Sequence, residues 1–186
     1  MYKKALLIIV ALSPLASWAL YKPMRVLSPE LNGITCTKNN ICIENTDRLS
    51  EATSLYNNAL LFVNSSVENI KNKPRITFCS SEKCYNSFGF HAPAKATTVG
   101  ISGIVVSPRG WNEYFIRHEI IHHLQSEKLG VFNQLLSPIW FKEGMAYSLS
   151  EDTQQLLEPW ESHKNKFNNW YSNINKDEIW THAKKL

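Results

Sequence analysis

Three short strand-like runs followed by one long helix constrain this fold most. The runs at 75–79, 96–99 and 103–107 are short and rich in β-branched or apolar residues, which predicts three strands. Pro74 separates them from an amphipathic helix predicted over 47–70, where apolar residues recur at helical spacing. The sequence therefore predicts an α+β domain, in which a small antiparallel or mixed sheet packs on helices.

Two further helices are indicated by residues typical of helix ends. Asn112 is a good N-cap and Gly130 a good stop, so a helix is predicted between them. Ser137 followed by Pro138 predicts the start of another helix, which runs to about residue 150.

Size and composition favour one globular domain, predicted over 31–186. A chain of 186 residues, 44% hydrophobic and 19% charged, can bury a real core and is not typical of long disorder. Its tail at 153–186 has helical character, broken at Pro159. The net charge of +4 comes from lysines and arginines scattered among acids, so nothing favours a nucleic-acid partner.

The N-terminus has the pattern of an export segment. Lys3 and Lys4 precede an apolar run that ends in small residues, which predicts that 1–19 is a signal peptide or an N-terminal membrane anchor. Residues 20–30, with two prolines and no periodicity, are predicted to be an extended linker. A signal peptide and a membrane anchor both place the domain outside the cytoplasm, in the periplasm or secreted. An anchor would also attach the domain to the membrane.

Four cysteines in an exported chain predict two disulfides. Three pairings are possible, and local sequence favours Cys36–Cys42 across a hairpin and Cys79–Cys84 across a turn. The alternative, a four-thiolate zinc site, lacks the repeated two-to-four-residue spacing of zinc ribbons.

The predicted helix at 112–129 contains His118, Glu119 and His122 in the order His-Glu-Ile-Ile-His. Histidines four apart lie on one helix face, so both rings can reach one metal ion. Glu119 is offset by about 100° around the helix, where its carboxylate can reach a water beside the metal without binding the metal. This arrangement suits a general base.

A third ligand is available on the following helix. Glu143 is an acid among apolar and aromatic neighbours, which is unusual for a merely solvated charge. Gly144 and Ala146 are small, and we expect them to let this helix approach the histidine helix closely.

Over residues 97–150 the chain resembles the gluzincin metallopeptidases, and most of all the small peptidase-MA-like domains. The resemblance rests on the two histidines with Glu119, followed about twenty residues later by Glu143-Gly144-Met145-Ala146. It implies a zincin-like pair of active-site helices and one zinc ion bound by His118, His122 and Glu143. It also implies Glu119 as the catalytic base and an open position for water.

The resemblance further implies a peptide or protein substrate bound in extended form on the edge strand of a short antiparallel sheet. The segment in the matching position is Gly103, Ile104, Val105 and Val106. The exopeptidase motif of large relatives is missing, so an endopeptidase is expected.

The family also needs a donor to the developing oxyanion, for which Tyr147, His163 and Tyr171 are candidates. Tyr147 follows Glu143 by one helical turn, so it could instead orient that ligand. His123 points elsewhere on its helix and is not expected to bind the metal.

A second hypothesis is a non-catalytic exported module that binds zinc or peptides on the same fold. Glu119 discriminates the two, since a structural site has no need of a free carboxylate beside its metal.

Overall fold

The structure, a computed structural model, describes residues 22–186, so the segment 1–19 lies outside the described residues. None of the helices in the described part is both long and apolar enough to cross a membrane. The helices are α1 (Lys22–Leu27), α2 (Leu49–Ser66), α3 (Glu82–Ser87), α4 (Glu113–Leu129), α5 (Val131–Leu136), α6 (Ile139–Leu149), α7 (Trp160–Ser172) and α8 (Ile179–Ala183). Short 3-10 helices lie at Pro29–Asn32, Thr46–Arg48 and Lys176–Glu178.

One mixed sheet of five strands confirms the α+β prediction. Its strands are β1 (Thr35–Cys36), β2 (Ile41–Ile43), β3 (Ile76–Phe78), β4 (Ala96–Thr98) and β5 (Ile104–Val106). They are ordered β1-β2-β3-β5-β4, with β2, β3 and β5 parallel and the two outer strands antiparallel to their neighbours.

The prediction that residues 103–106 form the edge strand is wrong. β5 lies between β3 and β4 and is bonded to both, so its backbone has no open edge. Ile104, Val105 and Val106 are fully buried, which fits a strand covered on both faces. The edge on this side of the sheet is β4, whose residues are half-buried.

The sheet separates two cores, because its central strands alternate between two apolar faces. The larger core lies under α2, α4, α6, α7 and α8 and receives Ile41, Ile43, Ile76, Phe78, Ile104 and Val106. The smaller core lies on the opposite face and contains Val26, Ile34, Cys42, Cys79, Cys84, Tyr85, Phe88, Phe90 and Val105.

Local capping explains where α4, the helix that carries His118 and His122, begins. Asn112 is extended, and its side chain accepts a hydrogen bond from the amide of Tyr114, which confirms the predicted N-cap. Gly130, with φ of 82°, ends the same helix. The helix predicted over 47–70 is shorter than expected, at Leu49–Ser66.

The predicted extended linker is also wrong in part, because α1 occupies most of it. Val26 of α1 is 1% exposed in the smaller core, and Arg75 Nη1 donates to the carbonyl oxygen of Leu27 at 2.6 Å. Burial of an apolar side chain stabilises this short helix, which has no strong sequence signal of its own.

Both predicted disulfides are present. Cys36–Cys42 links the antiparallel pair β1 and β2, and Cys79–Cys84 links the end of β3 to α3. No cysteine in the described part of the chain is free.

Candidate metal-binding site

His118, His122 and Glu143 converge between α4 and α6. Their ligand atoms all lie within 4.8 Å of one another, so the three groups could hold a metal ion. Nε2 of His118 lies 3.1 Å from Nε2 of His122. Nε2 of His118 lies 3.6 Å from Oε2 of Glu143, and Nε2 of His122 lies 3.6 Å from Oε1 of the same carboxylate.

These separations fit one small metal ion. Bonds of about 2.0–2.2 Å in a tetrahedral site place ligand atoms about 3.3–3.6 Å apart. The two histidine nitrogens, 3.1 Å apart, are close to this spacing. Each lies 3.6 Å from a different oxygen of Glu143, so the carboxylate must shift to bring one oxygen onto an ion shared with both rings. A tetrahedral ion held by these three groups would keep a fourth position for another ligand.

Gln125 orients the second histidine. Nδ1 of His122 lies 3.0 Å from Oε1 of Gln125, while Nε2 of Gln125 donates to the carbonyl oxygen of Lys142 at 3.0 Å. Since the amide nitrogen is already bonded to a carbonyl, Gln125 presents its oxygen to His122 and assigns the imidazole proton to Nδ1. In the neutral ring, Nε2 of His122 is then the nitrogen left free to bind a metal.

The charges within the triad are strongly coupled. Burial alone would lower the pKa of His122, but contact with Glu143, together with the charge of Glu119, raises this pKa to about 9. Burial would raise the pKa of Glu143, yet His118 and His122 hold it far below its usual range. Glu143 is therefore a carboxylate at neutral pH, in the form that binds metals.

Glu119 lies beside the triad without joining it. It is 8% exposed, and the hydroxyl of Thr98 lies 2.7 Å from its Oε2. Thr98 is the last residue of β4, so this contact joins the edge of the sheet to the metal-site helix.

A cleft of ≈ 1170 Å³ passes over the site, with His118, Glu119, His122 and Glu143 in its lining. One wall is β4 together with the loop that follows it. Apolar and aromatic side chains contribute much of the remainder, including Phe115, Val131, Phe132, Leu135, Tyr147 and Trp160.

Of the three candidate oxyanion donors, only Tyr147 lies in this cleft. Its ring packs edge-on against His118, with centroids 4.5 Å apart. Burial, with the charges of Glu143, Asp152 and Glu119, raises the pKa of Tyr147 to about 12, so its hydroxyl keeps its proton at neutral pH.

The other two candidates do not line the cleft. Tyr171 stacks on Phe167, with centroids 5.2 Å apart, and belongs to the packing of the larger core. His163 lies on α7, where its ring contacts Trp160. These positions give neither residue a contact with the triad.

His123 faces away from the triad, as expected. It is 2% exposed, and its Nε2 lies 2.8 Å from the carbonyl oxygen of Asn72. The imidazole thus ties α4 to the loop that precedes β3.

Gly144 permits close packing of α6 against a second helix, as predicted. That helix is α7, whereas the histidine helix α4 was expected. A Cβ at this position would lie 2.3 Å from the carbonyl oxygen of His163 and 2.7 Å from Cβ of Phe167. Both contacts belong to α7, so the lack of a side chain at Gly144 allows α7 to pack closely against α6. Glu143, the neighbour of Gly144, is positioned by this packing.

Two polar residues at the site were missed by sequence reasoning. Gln125 follows His122 by three residues and therefore lies on the same helix face, a spacing that could have identified it. Thr98 carries no comparable signal, because its contact with Glu119 depends on how the sheet packs against α4.

No protein-family model matches this chain, and comparison with curated proteins and with solved structures finds no significant similarity. The assignment of the site therefore rests on its own geometry: two imidazoles and a carboxylate that converge, with a second carboxylate beside them in a cleft.

Proposed function

We propose that this protein is a zinc-dependent metallopeptidase of the gluzincin type that cleaves internal peptide bonds. One observation carries the proposal. Glu119, which is not part of the ligand set, lines the same cleft as the three convergent ligand groups. A site built only to bind a metal has no need of this second carboxylate.

The donor set favours zinc. Two imidazole nitrogens and one carboxylate oxygen are typical of catalytic zinc sites, which keep one position open for water or substrate. Calcium and magnesium prefer sites made of oxygen ligands only.

The chemistry divides between the ion and the chain. When bound, zinc supplies Lewis acidity that polarises a carbonyl and makes water more acidic. Glu119 accepts the proton of the attacking water and returns it to the leaving amine. Tyr147, which stays protonated in the cleft, is the residue that we propose to donate a hydrogen bond to the developing oxyanion.

An extended peptide fits the cleft wall. β4 pairs with β5 on one side only, and its residues line the cleft. A substrate that adds a strand along the other side of β4 would pass over Glu119 and the triad. We assign the role of substrate strand to β4 in place of residues 103–106.

Two disulfides support an oxidising location outside the cytoplasm. We therefore propose that the domain acts in the periplasm or after secretion, with residues 1–19 as its export signal or membrane anchor.

One observation favours the alternative, a non-catalytic module that binds zinc or peptides. The hydrogen bond from Thr98 gives Glu119 a structural partner, so this carboxylate could serve only to tie the sheet to α4. The two functions differ in what happens when Glu119 loses its charge.

Glu119→Gln tests the proposal directly. This variant should keep the fold and the zinc of wild type but lose about a hundred- to ten-thousand-fold in the rate of peptide cleavage. Glu143→Gln, a change of the same size, should lower zinc affinity as well as the rate. Glu113→Gln, on the same helix but outside the cleft lining, is the matched control and should retain activity.

Cleavage of a peptide library with metal analysis of the same samples provides the readout. A Glu119→Gln variant that cleaves as fast as wild type would show the mechanism to be wrong. A fully zinc-loaded wild type that cleaves nothing in the library would establish the non-catalytic module instead.

A further inference from the structure

The cleft that passes over the metal site has two chemically different ends. Three contacts give the order of residues along it. Nζ of Lys95 lies 5.9 Å from the ring centroid of Phe115, and Thr98 bonds to Glu119. Beyond β4, a Cβ at Gly100 would lie 3.4 Å from the methyl groups of Val131.

These contacts show that β4 and α4 run in the same direction along the cleft. Phe115 lies near the N-terminus of α4 and Glu119 near its middle, while Val131 follows its C-terminus. The cleft wall formed by β4 and the loop after it therefore runs from Lys95 to Ile101, with Glu119 between these two residues.

The end at Lys95 is cationic and aromatic. Lys95 is exposed and precedes β4 directly. Lys22 also lines the cleft, with its Nζ 5.0 Å from the ring centroid of Phe90, another lining residue. Among the described residues of this lining, the carboxylates are Glu119 and Glu143, both at the metal site, so neither acid of the lining lies at this end.

The opposite end is aliphatic and aromatic, and unusually exposed. Ile101 is 61% exposed, and α5 contributes Phe132 at 83% and Leu135 at 67%. A cluster of large apolar side chains in water is typical of a binding surface. Lys142 reaches this end too, but its ammonium donates to the carbonyl oxygen of Leu135 at 3.0 Å.

We infer that the preferred ligand is an extended peptide with an acidic residue on one side of the metal site and a bulky apolar residue on the other. The acidic side chain meets Lys95 and Lys22, and the apolar side chain covers Val131, Phe132 and Leu135. This inference rests on the proposed function and names the substrate class of that same site.

Charge complementarity carries the acidic half of the inference. Opposite charges at the mouth of a cleft attract a ligand and fix its register, and salt screens this attraction. The apolar half follows from burial, because a side chain that covers Phe132 and Leu135 removes exposed apolar surface from water.

Zinc-loaded Glu119→Gln allows binding to be measured without cleavage. The probes are fluorescent peptides of equal length in three series. In the first series an acidic residue precedes the apolar residue, and in the second it follows the apolar residue. In the third series a neutral residue replaces the acidic one. One acidic series should bind at least about threefold tighter than the neutral series at low salt, and the difference should shrink at high salt. Equal affinity of all three series would overturn the inference.

Two exposed positions provide matched variants. Lys95→Glu should change the affinity for acidic relative to neutral peptides by about tenfold, so that the neutral peptides bind better. Lys38→Glu, at the exposed hairpin tip, should leave this ratio unchanged. Phe132→Ser should weaken binding of the apolar residue by about tenfold, while Leu61→Ser, at a 70% exposed position of α2, should not. Unchanged preferences in both cleft variants would overturn the assignment of the ends.

Cleavage by wild type separates this inference from the proposed function. Cleavage of all three series at one rate would leave the peptidase standing and overturn the substrate class. Selective binding without any cleavage by wild type would leave the substrate class standing and overturn the peptidase.

Discussion

The hydroxyl of Thr98 lies 2.7 Å from Oε2 of Glu119 and 2.8 Å from the carbonyl oxygen of the same residue. A side chain at the sheet edge thus contacts both the backbone and the carboxylate of the proposed base. A carboxylate tethered in this way loses rotamer freedom before substrate arrives. Thr98 is therefore a positioning residue for Glu119.

We expect Thr98→Val to lower kcat by about tenfold, with little change in KM or in zinc content, because valine keeps the shape but not the hydroxyl. Thr98→Ser retains the hydroxyl and should restore most of the rate. Steady-state kinetics on one good peptide substrate, with metal analysis of each sample, tests this. Equal kcat in the valine and serine variants would contradict a positioning role.

Zinc should bind at one ion per chain, and Gln125 should strengthen that binding without contacting the ion. Gln125→Leu removes the acceptor for Nδ1 of His122 and should weaken zinc binding by about 10- to 100-fold. His118→Ala should abolish it. His123→Ala, a neighbouring change on the far side of α4, should keep the wild-type affinity.

Competition with a chelating dye measures these affinities. Loss of zinc in His123→Ala, with retention in His118→Ala, would show that the ligand set is wrong.

Zinc binding should release a proton at neutral pH. The pKa of His122 is raised to about 9 without an ion, so this imidazole is protonated below that pH and must lose its proton to bind. Zinc affinity should therefore rise as pH increases towards about 9 and then level off. Calorimetry at pH 7 in buffers with different ionisation enthalpies counts the protons, and a count near zero would contradict the coupling of His122 with Glu143.

Gly144→Ala should destabilise the protein, although alanine normally favours a helix over glycine by about 1 kcal/mol. The added methyl group would lie 2.3 Å from the carbonyl oxygen of His163, so α6 and α7 must separate. Overpacking of this kind costs about 1–3 kcal/mol. Because Glu143 is the adjacent residue, its carboxylate should move and zinc affinity should fall as well.

Denaturant unfolding with and without chelator distinguishes the two effects. A rise in stability would show that the contact between α6 and α7 is looser than described.

The parts of the site that follow from local sequence were predictable. Asn112 and Gly130 fix the ends of α4, and the spacing of His118 and His122 places both rings on one face. The two disulfides were predictable for the same reason, since each closes a short loop.

The remaining features depend on contacts between distant segments. The parallel pairing of β3 with β5 moves β5 into the sheet, and neither strand indicates its partner. The contact of Gly144 with α7 could not be inferred for a similar reason, because the sequence shows that a residue is small but not which helix it touches.

The disulfides and the metal site lie on opposite faces of the sheet. Cys42, Cys79 and Cys84 are buried in the smaller core, whereas α4 and α6 pack in the larger one. Each disulfide closes a loop of five or six residues and contributes about 2 kcal/mol through chain entropy. Reduction of the disulfides should thus weaken the face that carries α1 and α3, and with it the end of the cleft at Lys22, before it disturbs His118, His122 and Glu143. Thiol reagents and chelators would then inactivate this protein by separate routes.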